Sequence, residues 1–529
     1  MQDIEATLAD FQRRDVIRRV WSRDHTLWKP GPEEIDDRLG WLDVTSHMRR
    51  RAPELRAFAK DVRAEGFGYV VLLGMGGSSL GPEVLKRSFG SAPGYPSLLV
   101  LDSTVPAAIR AVDEAVDPAH TLFLVSSKSG GTAEPNALYR FFRKRVQSAR
   151  EDGPGRSFVA ITDEGSSLER LGREEGFRHV FLNRSDIGGR YSVLSYFGLV
   201  PAALIGLDVG TMLDRADGMR ESCAAEVPPG DNPGAFLGAM MGTLALAGRD
   251  KLTLVTSPSI AGFGLWAEQL IAESTGKEDK GIVPVAGELL HGPDAYGDDR
   301  IFAYMRLEGD DNASNDVRIA EFEAAGHPVV RLELQDIYDL AAEFFRWEFA
   351  TAIAGVVLGL NPFDQPDVQR AKEQTEGVLR EYLASGRLPE APDGGDVDRL
   401  LSQAGPGDYL AIMAFVGETP ETDRALARLR EAVARRHGIA TTVGYGPRFL
   451  HSTGQLHKGG AANGLFLQIV AGHDPDILIP GEPYSFGVLA DAQALGDLRA
   501  LEERGRRFAR VRVGAGSSAD IDSLAAQLQ

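Results

Sequence analysis

Two kinds of apolar spacing alternate along the chain. Short unbroken runs, Tyr69–Leu73, SLLVLD ending at Asp102, Leu122–Val125 and FVAITD, have the length of strands buried on both faces. Glycine turns and helix-like segments separate them, among them Ala133–Phe142, so the pattern predicts a parallel sheet with crossover helices. After the Pro/Gly-rich stretch Glu226–Gly234 the order restarts. KLTLVTSP, RIFAYMRLE and PVVRLEL predict strands, and Asn315–Ala325 and Ile337–Leu360 predict helices. Beyond a second Pro/Gly/Asp-rich stretch, Ser385–Asp408, come DYLAIMAFV, a helix over Thr422–Arg436, IATTVGY, GLFLQIV, another helix and FARVRV. The expectation is an α/β protein: a helical segment over residues 1–65, two parallel-sheet domains over 66–225 and 235–380, and a C-terminal α/β extension over 405–529. In the first segment Arg19, Arg23, Asp24 and Trp28 suit either a solvated face or an interface.

Composition narrows the partners. The 529 residues are 43% hydrophobic and 25% charged, ordinary for a soluble globular chain. The net charge of -19 argues against a nucleic-acid or anionic-membrane partner. It leaves room for a small anion, since a few local donors outweigh distant screened charge. The single cysteine, Cys223, rules out an intramolecular disulfide framework and fits a reducing compartment. The charged N-terminus has no signal-peptide core, and the longest apolar run, Phe349–Leu360, falls short of the roughly 20 residues a membrane span needs. A cytoplasmic protein is expected.

Chemistry concentrates in a few strings. AEQLIAESTGKEDKGIVPV begins inside a helical pattern in which Phe263, Trp266 and Leu270 define one apolar face, and Gln269 and Glu273 share another stripe. The helix should break at Gly276, leaving Glu273 near its partially negative end, where a desolvated carboxylate gains proton affinity. A surface glutamate in a frayed last turn is the alternative. GYVVLLGMGGSSLGPEVL is a strand, glycine turn and helix that can point amides at an anion. With Asp102 after the next strand the spacing also suits a dinucleotide fold, which stays open as the lesser reading. In TLFLVSSKSGGTAEPNALYRFF, the hydroxyls of Ser127, Ser129 and Thr132, the Lys128 charge and free helix-start amides describe a phosphate cradle. Helix capping accounts for only one of those hydroxyls, and the nucleotide P-loop order is absent. In IGGRYS the Gly188–Gly189 pair aims Arg190, which can pair with an acid or stabilise an oxyanion. Pro366 signals a helix start that puts Lys372 about a turn and a half inside.

Taken in order from Gly74 to Lys372, the strings GMGGSSLGP, SKSGGTAE, GGRYS, ESTGK and NPFDQPDVQRAK resemble the phosphoglucose isomerase family of the sugar isomerase (SIS) superfamily. Within it the chain looks most similar to the isomerase portion of transaldolase/isomerase fusion proteins, although it carries no transaldolase portion. The resemblance implies two SIS domains, a homodimer with a site between domains and subunits, and interconversion of glucose 6-phosphate and fructose 6-phosphate through a cis-enediol(ate). It implies Glu273 as base, Arg190 as stabiliser of the intermediate, Gln269 as a substrate contact and Lys372 in ring opening. It further implies Ser127, Lys128, Ser129 and Thr132 as the phosphate loop, with Gly77, Ser78 and Gly189 at the sugar phosphate.

The histidine departs from the family pattern. A ring-opening histidine is expected between the base and lysine motifs, where only His291 and His327 occur, neither with the expected neighbours. The matching string lies late instead, in GPRFLHSTGQLHKGG, giving His451 and His457. We expect His451 over His291, with the tail folding back to complete the site in the same or a partner subunit. The chemistry needs no metal or cofactor: glutamate, arginine, lysine and histidine supply the proton carriers and the charge. The pairs Asp298–Asp299 and Asp310–Asp311 read as solvated turns. Another SIS-type aldose-ketose isomerase, for example one that also acts on mannose 6-phosphate, an NAD(P)-dependent oxidoreductase and a non-catalytic sugar-phosphate sensor are the rivals.

Overall fold

The computed structural model describes residues 2–150, 153–514 and 517–528. Three parallel sheets organise it. The first joins β1 (Tyr69–Leu73), β2 (Ser97–Leu101), β3 (Thr121–Ser126), β4 (Phe158–Asp163) and β5 (His179–Asn183) in the order β2-β1-β3-β4-β5. The second joins β6 (Lys251–Thr256), β7 (Val283–Ala286), β8 (Arg300–Leu307) and β9 (Val329–Leu334) as β7-β6-β8-β9. The third, from the tail, joins β10 (Tyr409–Phe415), β11 (Ala440–Tyr445), β12 (Gly464–Ala471) and β13 (Arg507–Val513) as β11-β10-β12-β13. In the first sheet the chain winds outward in opposite directions from β1 and β3, so the turns that follow these two strands lie side by side at one edge. Such a reversal opens a crevice at the strand C-termini.

The edge strands β5 and β7 escape the sequence pattern. β7 is four residues long and contains Pro284, which an edge strand tolerates because one side of it needs no ladder bond. The segment Ser385–Asp408 also holds a short helix, Val397–Leu401, and the helix after the serine turn runs from Ala133 to Ala149.

Packing decides which helical stripes matter. The helix Phe263–Thr275 is buried at every residue except Leu265, so both its apolar face and the Gln269/Glu273 stripe are covered. The frayed-end alternative for Glu273 is thereby removed: the residue is 7% exposed. The N-terminal segment splits between its two readings. Trp28 is buried and donates its indole N–H to the Ala352 carbonyl at 2.8 Å, whereas Arg19 and Arg23 pair with Asp24 and Asp43 near the surface. One continuous apolar core joins this segment to the first and second sheets. The third sheet has its own core and meets the second through a smaller patch in which Val283 and Val285 pack with Tyr409 and Phe466.

Several acids pack inside with little compensation. Glu268 accepts a 3.4 Å bond from the Ala286 N–H, and burial pushes its carboxyl up to about 8. Burial likewise pushes Glu343 up to about 7 and Glu348 well above the ordinary range. The unfolded chain releases these protons near 4.5. The folded chain therefore holds more protons between that value and about 8, and their stabilising contribution, full below the lower value, falls as pH rises through the window. The urea midpoint should drop between about pH 5 and about pH 8.5, and Glu268→Gln should remove part of that drop. Equal drops in the two proteins would show that Glu268 does not carry this proton.

Candidate functional site

The serine turn after β3 is braced from within. Ser127 is buried, its Oγ lies 3.1 Å from Thr132 Oγ1, and it accepts the Gly130 N–H at 3.2 Å. Thr132 stands at the helix N-cap without a side-chain capping bond. Capping therefore leaves the Thr132 hydroxyl unexplained, whereas the Ser127 contact aims it. Ser129 accepts the Gly131 N–H at 3.2 Å. Lys128 pairs with Asp163 and donates to the Ser185 carbonyl at 2.7 Å. Burial pushes the Asp163 carboxyl up, and the Lys128 charge opposes that push.

Beside this turn lies the glycine turn after β1. Gly76 adopts φ +53°, and a side chain there would strike the His451 carbonyl oxygen. At Gly77 a Cβ would fall 2.0 Å from the Gly189 carbonyl oxygen, so the two glycine turns touch backbone to backbone. This contact sets where Arg190 leaves the main chain.

Arg190 is 3% exposed and almost saturated. Its Nε donates to Ser274 Oγ at 2.8 Å, Nη1 to Gln365 Oε1 at 2.8 Å, and Nη2 to the carbonyls of Pro362 at 2.8 Å and Asp364 at 2.9 Å. Four of its five N–H groups are thus held by neutral acceptors. Nη1 also lies 3.5 Å from Glu273 Oε1. Gln269 Nε2 donates to Glu273 Oε2 at 3.1 Å and to the His451 carbonyl at 2.7 Å. Below them Lys277 reaches the Asn361 carbonyl at 2.7 Å and Asp364 Oδ1 at 2.5 Å, and burial lowers its ammonium to about 8.

A single open cavity of about 470 Å³ gathers these elements. Gly77, Ser78, Lys128, Ser129, Thr132 and Gly189 line one side, and Arg190, Gln269, Glu273, Lys372 and His451 complete the wall. Ser127 is the expected residue that stays behind this surface. His291 lines a different cavity, between the second and third sheets. His451 arrives from the tail of the same chain, with Nε2 2.9 Å from Glu134 Oε1. Burial would raise Glu134, but the charges of His451 and Lys372 and the hydrogen bond outweigh it and hold the carboxyl below its ordinary value. His457 is buried between Phe449 and Phe466. Burial holds it well below the ordinary imidazole range, so it is neutral packing.

Asp102 is occupied in a way that leaves no ribose site. It is 2% exposed, receives Arg448 Nε and Nη2 at 2.8 Å each, and takes the Ser79 hydroxyl at 3.0 Å. Arg448 also reaches Glu418, which in turn holds Arg87. The acid that suited a dinucleotide fold instead fastens the His451 segment to the first sheet.

Sequence reasoning missed Glu134, Gln365 and Asp163, all of which line this cavity or touch its residues. Glu134 and Gln365 stand inside SKSGGTAE and NPFDQPDVQRAK, so the strings held the signal although the residues were not singled out.

Comparison with known proteins agrees with this geometry. A glucose-6-phosphate isomerase of Staphylococcus saprophyticus is 28% identical over 70% of this chain and 92% of its own. A probable glucose-6-phosphate isomerase of Methanococcus maripaludis is 28% identical over 67% of this chain and 86% of its own. Two crystal structures share the fold. A hypothetical protein from Thermus thermophilus has a TM-score of 0.61 and 24% identity, covering 73% of this chain and 98% of that one. A glucose-6-phosphate isomerase from Chlamydia trachomatis has a TM-score of 0.54 and 21% identity, covering 70% and 78%. Residues 42–287 match the family model described as phosphoglucose isomerase. That match takes in the serine turn, Arg190, Gln269 and Glu273, and over this span the chain is similar to the phosphoglucose isomerase family.

Proposed function

We propose that the chain interconverts D-glucose 6-phosphate and D-fructose 6-phosphate through a cis-enediol(ate), with Glu273 as the base. One observation carries the reading: the hydroxyl-rich turn and the Glu273 carboxylate face a common cavity of about 470 Å³, room for one hexose monophosphate. The names of the curated relatives support the substrate pair. In this reading the phosphate sits on the Ser129 and Thr132 hydroxyls, the helix-start amides and Lys128. Glu273 takes the proton from C2 and returns it to C1. Arg190, held rigid by its four neutral acceptors, presents its remaining N–H to the developing oxyanion. His451, oriented by Glu134, and Lys372 move the protons that open the ring.

We further propose a cytoplasmic homodimer, supported by the family resemblance, and a relation to transaldolase fusions that rests on the motifs alone. Among the described residues no helix is long and apolar enough to cross a membrane.

A coupled assay on fructose 6-phosphate, with mannose 6-phosphate as comparison, tests the reading directly. Glu273→Gln should lose roughly two to four orders of magnitude in turnover while still binding substrate; near-normal turnover would remove the residue from the role. Lys128→Ala should raise KM about tenfold or more with kcat little changed, because binding is equal in ground and transition states. An unchanged KM would count against the cradle. His451→Ala should slow the closed-ring sugar far more than an open-chain analogue, and equal losses on the two would take ring opening away from His451.

A further inference from the structure

The three groups assigned to proton transfer sit on three separate pieces of chain. Glu273 ends the helix Phe263–Thr275, Lys372 lies in the helix Pro366–Ser385, and His451 closes the short turn Arg448–His451. Gln455 is four residues beyond that histidine, on the helix Gly454–Gly459, and is 0% exposed. Its Nε2 donates to the Gly276 carbonyl at 3.0 Å, at the C-cap of the first helix. The same nitrogen donates to Asp367 Oδ2 at 2.9 Å, and Oε1 accepts the Asp367 N–H at 2.9 Å, in the opening turn of the second helix. Both amide hydrogens and the carbonyl oxygen are used, and each partner belongs to an element that carries one of the proton-transfer groups.

The surroundings are shaped to admit this amide. A Cβ at Gly459 would fall 2.4 Å from Asp367 Oδ2, 2.7 Å from Gln455 Nε2 and 2.7 Å from the Gly276 oxygen. A Cβ at Gly276 would fall 2.4 Å from Leu456 Cα. The glycines of ESTGK and LHKGG therefore clear the space in which three backbones converge on one side chain. Gln455 does not line the cavity, so it acts only through what it holds.

We infer that Gln455 is a positioning residue that fixes the mutual spacing of Glu273, Lys372 and His451. This rests on the isomerase reading above. No other polar atom of Gln455 remains to bind a ligand, and none of its partners belongs to the phosphate turn. The expectation is therefore a loss in the chemical step without a loss in substrate capture.

The test uses the full chain with Gln455→Met, similar in volume and without the amide, and Gln455→Asn, which keeps the amide and withdraws its reach. Rates are scaled to the folded fraction read from a urea melt, so that a variant that folds poorly still reports. Expected is a fall in kcat of about 10²-fold, the scale set by an ångström of misplacement, with KM for fructose 6-phosphate within about threefold of the unmodified enzyme. Combining either variant with His451→Ala should cost less than the product of the separate losses, because both act on one constellation. Amide exchange should quicken together in peptides over residues 272–281, 364–372 and 448–460 and stay unchanged over 127–133. An intact kcat per folded molecule, a KM that rises in parallel, strictly multiplicative losses, or quickening confined to 448–460 would overturn the inference. Inactivity of the unmodified chain on both hexose phosphates would sink the isomerase reading instead, and amide exchange would still decide whether Gln455 holds the three elements together.

Discussion

The ion pair between Asp102 and Arg448 is the constraint on which the site depends. Both partners are largely withdrawn from water, and the two bonds are parallel and 2.8 Å long. A pair of this kind gains little net stability over an apolar substitute, but removing one partner leaves an uncompensated buried charge, so the arrangement is strongly specified. What it specifies is the seat of the tail. Arg448 begins the turn that ends at His451, and Asp102 follows β2 and holds Ser79 in the glycine turn. Together with the 2.7 Å bond from Gln269 to the His451 carbonyl, it sets the histidine against the helix that carries Glu273.

The three sheets contribute unequally. The first supplies the crevice between the turns after β1 and β3 and with it the glycine- and hydroxyl-lined side of the cavity. The second supplies the helix of Gln269 and Glu273. At its own corresponding edge, after β6 and β8, Ser257 donates to Asn312 at 2.6 Å and Asp310 accepts the Ser259 N–H at 2.8 Å, so protein groups occupy that crevice. The solvated-turn reading of Asp310 thus overlooked an anchor, whereas Asp298 is fully exposed, as its sequence context suggested.

Local sequence carried much of this and stopped at the interfaces. Unbroken apolar runs revealed the central strands because these are buried on both faces, and short strings revealed the turns because glycine and hydroxyl spacing is a local matter. The edge strands β5 and β7, short or interrupted, left too weak a trace. The residues that hold the site together, Asp102 with Arg448, Glu134 with His451, and Lys277 with Asp364, are far apart in sequence, and each looks alone like an ordinary surface charge. Asp102 is the clearest case: its spacing suited a ribose, and only the folded chain reveals that a guanidinium already occupies it.

That His451 and Glu273 line the same cavity within one polypeptide has a genetic corollary. Where two copies share a site, a chain lacking one group can lend the other, and two defective alleles rescue each other in a mixed oligomer. Here the carboxylate and the imidazole reach the cavity from one chain, so these two groups need no second copy to bring them together.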